Sequence, residues 1–87
     1  MEHYYVGECP ICKNYGRMEV LFNFSSNKCS IMCDECTLEF DDLYDFLKNQ
    51  NGYRKTYEKA EARTATLDEI KNSEWFPYLK WNWIWIW

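Results

Sequence analysis

The chain has 87 residues, with 10 basic against 14 acidic side chains and a net charge of -4. That length allows one domain, and an apolar core of this size is marginal unless a disulfide or a metal staples it. The negative balance works against broad phosphate binding, which needs a basic footprint, and the 47% apolar content works against a disordered chain.

The first six residues hold no basic stretch leading into an apolar run, so no signal peptide is expected. No apolar segment approaches the ~20 residues of a membrane-spanning helix. A cytoplasmic location follows as the expectation. Thiols stay reduced there, so the five cysteines read as metal ligands before they read as disulfides.

Tyr4-Tyr5-Val6 leads into Cys9-Pro10-Ile11-Cys12, the first of two C-x-x-C turns; the second is Cys33-Asp34-Glu35-Cys36. Two residues between thiolates let a tight turn aim both sulfurs at one point. The roughly 20-residue spacer between the turns suits a strand, a turn and a return strand. The spacing predicts a structural Zn²⁺ held by Cys9, Cys12, Cys33 and Cys36, a closed four-thiolate site that supplies folding free energy and leaves no position for substrate. Rubredoxin-like iron uses the same ligands but typically has Gly after the second Cys of each turn, where this chain has Lys13 and Thr37. A thioredoxin-like pair needs a single C-x-x-C at a strand–helix junction. A zinc deaminase needs H-x-E, and the only histidine, His3, precedes Tyr4-Tyr5. Cys29 reads as a small buried strand residue, with replacement of one of the four ligands as the other reading. Lys13, Arg17 and Lys28 are close enough in sequence to offset the charge of the thiolates, or are ordinary surface residues.

Between the turns, Gly16 suits a turn, and residues 17–24 read as a strand with Met18, Val20, Phe22 and Phe24 on one face and Glu19, Leu21 and Asn23 on the other. Residues 25–27 form the turn, 28–32 return, and 37–40 begin a third strand. The period changes at residue 41. Leu43, Phe46 and Leu47 match a short helix with acids at its start, ended by Asn49-Gln50-Asn51-Gly52. Residues 53–63 are polar and fit either a solvated helix or a linker. Thr66-Leu67-Asp68-Glu69 is a capping box that opens a second helix anchored by Leu67 and Ile70, and Pro77 discourages its continuation. The final Trp81-Asn82-Trp83-Ile84-Trp85-Ile86-Trp87 has tryptophan at alternate positions, the pattern of a strand with an indole face. Burial within the fold is the favoured reading for that face; a partner interface and a membrane contact are the others. The expected fold is a small α+β domain, residues 1–87, comprising a zinc ribbon over 4–40, a helical segment over 41–79 and a Trp-rich strand over 80–87.

ECPICKNYGRMEVLF with CSIMCDECTLEF, and ATLDEIKNSEWFPYL downstream, resemble small bacterial zinc-ribbon proteins encoded beside polymorphic or contact-dependent toxins. The likeness covers residues 7–40 and 65–79 and leaves the tryptophan tail out. It implies an immunity protein that binds one toxin domain and covers or distorts its active site. No enzyme activity is expected, because a four-thiolate site is closed and no nucleophile–base pair stands out. A nuclease toxin acts on a polyanion and tends to be basic, and an acidic binder gains association rate from complementary charge. Glu35, Glu39, Asp41, Asp42 and Asp45, with Tyr44 beside them, are the candidate contacts; a solvated acidic face is the other reading. A nucleic-acid-binding ribbon is the alternative function, with Tyr4, Tyr5 and Tyr15 as stacking platforms, and the acidity of the chain makes it the weaker one.

Overall fold

The computed structural model describes residues 2–54, 62–81 and 85–86. The long strand β3 (Lys13–Asn23) is the spine. On one edge it pairs antiparallel with β2 (Tyr5–Cys9), and further along the same edge with β7 (Ala62–Thr64). On the other edge it pairs with β4 (Lys28–Cys33), which carries β5 (Leu38–Phe40) and then β6 (Tyr53–Arg54). These six strands form one antiparallel sheet, and β1 (Glu2–His3) pairs separately with β8 (Trp85–Ile86). The small α+β architecture, with cysteine turns at the ends of its hairpins, is the expected ribbon.

The register puts Met18 beside Cys33, Val20 beside Ile31 and Ile31 beside Phe40, so these side chains share one face and are all buried. That face is closed by Trp75, whose ring meets Phe46 edge-on, while Phe46 in turn meets Phe40. Trp75 is fully buried, and its indole N–H donates to the Cys29 carbonyl at 3.2 Å. Burial of one such aromatic is worth roughly 3 kcal/mol by area, and the indole N–H is not left without a partner.

Helix α1 (Leu43–Lys48) starts where the acids predict: the Asp42 carboxylate caps it by accepting from the Tyr44 N–H, and Asn49 ends it in the left-handed region at φ 51°. Its expected apolar stripe is only partly used. Phe46 packs inward, whereas Leu47 is exposed. Helix α2 (Leu67–Lys71) has the full capping box: Thr66 Oγ1 accepts from Glu69 N–H, and the Glu69 carboxylate accepts from Thr66 N–H. Ile70 is its buried anchor, and Pro77 sits in a single 3₁₀ turn at Phe76–Tyr78.

Several expectations change. The predicted strand of residues 17–24 ends at Asn23, with Phe24 exposed in the turn. The segment read as solvated helix or linker supplies strand at both ends, β6 and β7, with residues 55–61 outside the described set. Of the tryptophan tail, Trp85–Ile86 is a strand against β1, while Trp81 lies before it, half exposed and edge-on to Phe76. Residues 82–84 and 87 lie outside the described residues. Among the described residues no helix is long and apolar enough to cross a membrane.

Candidate metal centre

Each C-x-x-C turn is built in the same way. In the first, the Cys9 sulfur accepts from the N–H groups of Ile11 and Cys12, both at 3.4 Å. In the second, the Cys33 sulfur accepts from Glu35 and Cys36, again at 3.4 Å. The first cysteine of each turn is buried and the second is half-buried. At Cys33 these N–H groups favour the thiolate, the form a metal takes, but burial outweighs them and leaves the thiol raised.

The second turn is held against β3. Asp34 N–H donates to the Arg17 carbonyl, and Arg17 N–H donates to the Asp34 carboxylate, both at 3.0 Å. The four sulfurs lie within 4.8 Å of one another, with Cys9 and Cys36 at 3.6 Å and Cys12 and Cys33 at 3.9 Å. Thiolates bound about 2.3 Å from a tetrahedral ion stand about 3.8 Å apart, so the donor set fits a four-coordinate metal and is too open for a disulfide. Cys29 is outside the cluster, buried on β4, and burial pushes its thiol up, as expected of an inert core thiol. Lys28 pairs with Asn23 at the opposite end of β4, so it does not offset the cluster's charge at close range.

Cys12 and Cys36 are pushed in opposite directions. Burial works against ionisation of Cys36, but the Leu38 N–H and the thiols of Cys12, Cys33 and Cys9 donate to it and pull it down to about 6. Cys12 moves the opposite way, up to about 12, chiefly because it donates to Cys36 and then because of burial.

Gly16, read from sequence as a turn residue, lies within β3 beside the cluster. A Cβ there would stand 2.3 Å from Cys33 Sγ, 3.2 Å from Cys12 Cβ and 3.3 Å from Cys9 Cβ. A glycine inside a strand pattern is the sequence signal for such a close approach. Thr37, after the second turn, adopts φ 64°, the left-handed conformation that glycine would take without strain.

The candidate partner residues do not form one face. Glu35 is exposed in the second cysteine turn. Asp41, Asp42 and Tyr44 are exposed around the start of α1, and Asp45 is half-buried, accepting from the side-chain amides of Gln50 and Asn51. Glu39 does not belong with them: it is 1% exposed. Its carboxylate accepts from Ser30 at 3.3 Å and Tyr53 at 3.2 Å, in a buried polar group that continues through Ser30 to Asn23. The alternation of Leu38, Glu39 and Phe40 pointed outward for Glu39, but β6 pairs alongside and Tyr53 reaches it, so both faces of β5 are covered. Tyr4 and Tyr5 are buried as well, which removes them as base-stacking platforms.

Fold and site together define a small ribbon with a four-cysteine cluster that could hold a metal ion. Comparison with protein-family models, with curated proteins and with solved structures finds no match.

Proposed function

We propose that the chain is a toxin-neutralising immunity protein: a protein-binding module whose fold is stapled by a structural Zn²⁺ and whose acidic surface engages a basic toxin domain in the cytoplasm. The observation that carries it is the exposed carboxylate set Asp41 and Asp42 beside the exposed ring of Tyr44. Charge steers encounter with a basic partner, and an aromatic among charges supplies an anchor. Zinc supports this role from a distance. Four thiolates close its coordination, so when bound it supplies folding free energy and no Lewis-acid chemistry. Cys9, Cys12, Cys33 and Cys36 would hold it.

The nucleic-acid reading is weaker, because Tyr4 and Tyr5 are buried and the chain is acidic. The deciding experiment is co-expression with the product of the adjacent gene. Growth rescue from that product's toxicity, together with a stoichiometric complex on gel filtration, is expected. Retention of single-stranded RNA or DNA with no protein complex would instead select the alternative.

A further inference from the structure

Asn51 is the one asparagine of the chain that precedes a glycine, Gly52. A backbone nitrogen can attack the side-chain carbonyl carbon of the asparagine before it, which makes asparagine a thermolabile residue. Glycine, with no Cβ, shields that nitrogen least. Both residues are exposed and lie between α1 and β6, outside both elements. The rotation about the Asn51 Cα–C bond that brings nitrogen to carbonyl carbon therefore dismantles neither.

Other asparagines are guarded by the fold. Asn72 is the nearest rival on sequence, because it precedes the small Ser73. Yet the Ser73 N–H donates to the Ile70 carbonyl at 2.9 Å, and the Asn72 amide to the Asp68 carbonyl at 3.0 Å. The Gln50 N–H, which follows Asn49, donates to the Asp45 carbonyl at 2.9 Å. Asn23 is buried at the end of β3, with its amide donating to Ser30 at 2.7 Å. Asn27 is exposed in the hairpin turn, but its neighbour Lys28 is bulky and opens β4, paired with Asn23.

We propose that Asn51 is a site of spontaneous modification, where the asparagine is converted to aspartate and isoaspartate. The Gly52 nitrogen gives up its proton to solvent and bonds to Asn51 Cγ. The Cγ–Nδ2 bond breaks, and ammonia leaves a cyclic imide behind. Water then opens the ring. Attack at Cγ yields aspartate, and attack at the main-chain carbonyl yields isoaspartate. Nothing is oxidised or reduced. The surroundings give the change a consequence. The Asn51 amide donates to the Asp45 carboxylate at 3.1 Å, so the aspartate product sets one carboxylate against another at the end of α1. Gly52 has little room to retreat: a Cβ there would stand 2.9 Å from two carbons of the Phe40 ring and 3.1 Å from Leu38 Cδ1. The extra backbone carbon of isoaspartate must be taken up against that ring, which belongs to the core.

The test incubates the full chain at physiological temperature across a range of pH and maps it by mass spectrometry after brief trypsin digestion, against a sample taken at the start. Cleavage after Lys48 and Arg54 isolates residues 49–54, and cleavage after Lys71 and Lys80 isolates 72–80. The mass gain of an amide-to-acid exchange is expected at Asn51, as two separable products, faster as pH rises, with Asn49 and Asn72 unchanged. In urea Asn72 should convert as well, because its two hydrogen bonds are gone. Asn51→Gln, whose longer side chain closes the ring poorly, should show no gain, and Asn51→Asp should melt below the wild type. A native chain that stays unchanged at Asn51 while a synthetic 49–54 peptide converts overturns the proposal. So does conversion of Asn72 in the native chain as fast as that of Asn51. Aspartate as the sole product would mean direct hydrolysis and overturn the route through Gly52.

Discussion

Gly16 and Cys33 approach so closely that a single added carbon at the glycine would stand 2.3 Å from the cysteine sulfur. The same carbon would press on the Cβ atoms of Cys9 and Cys12, so three of the four ligands meet at one backbone position. Gly16→Ala is expected to displace Cys33 from the cluster. Metal analysis should give well under one zinc per chain, and thermal melting should fall sharply. One zinc per chain and an unchanged melting temperature would show that the ligand shell yields at no cost.

Cys29 and Cys33 share a strand but have different fates. Cys33→Ser is expected to abolish stoichiometric metal and the cooperative transition, as will treatment of the wild type with a strong chelator, because metal binding and folding are one equilibrium in such sites. Cys29→Ala keeps the metal and costs about 1 kcal/mol of packing in urea unfolding. Zinc loss in the Cys29 variant would mean that the ligand set differs from the one described.

Thr37 holds a β-branched side chain in the left-handed region, at φ 64°. That conformation costs about 1–2 kcal/mol for an L-residue, and glycine gives back about 0.5–1 kcal/mol in unfolded-chain entropy. Thr37→Gly should therefore stabilise the protein by roughly 0.5–1 kcal/mol, read as a higher denaturant midpoint at constant slope. A lower midpoint would place the threonine side chain in a stabilising role.

Trp75→Phe removes the donor to the Cys29 carbonyl while keeping most of the ring. It should cost about 1–3 kcal/mol, from the orphaned carbonyl and the smaller ring, whereas Trp75→Ala should cost about 3–5 kcal/mol. Equal costs for the two variants would indicate that the hydrogen bond, and not the packing against Phe46, dominates.

The Arg63 hydrogen bond, with the Thr66 N–H adding to it against some burial, holds the Glu69 carboxyl below its ordinary range. A depressed carboxylate contributes stability that is complete above its unfolded value and is lost only as pH falls through the folded one. The melting difference between wild type and Arg63→Gln should therefore stay constant from pH 7 to pH 5, and shrink with added salt because the pair is exposed. A difference that fades within that window would mean that the pair titrates with another group.

The sequence made some elements plain and hid others for physical reasons. The two cysteine turns, the strand carrying Met18 and Val20 and the Thr66–Glu69 cap are local patterns whose geometry is written in a few adjacent residues. Tyr53–Arg54 and Ala62–Thr64 have no such pattern. Their strand character comes from the edges they join, at Glu39 and at Leu21 to Asn23, because β propensity follows tertiary surroundings more than side-chain type. Glu39 misled for the same reason: alternation tells which side of a strand a residue faces, and only the partner strand decides whether that side meets water.

The two edges of β3 close over very different stretches of chain. Its pairings with β2 and β4 are hairpins, whereas Leu21 meets Thr64 only after the rest of the sheet and α1 have been threaded. Closing a long loop is slower than closing a short one, so during synthesis the cysteine-bearing hairpins come first and the β7 seam last. Until that seam shuts, Leu21, Phe22 and Asn23 offer bare backbone donors and acceptors beside two apolar side chains, an invitation to any other extended chain. The vulnerable moment in the life of this protein is thus at the end of the sheet away from its cysteine cluster, and refolding at high concentration should fail there, by strands exchanged between molecules.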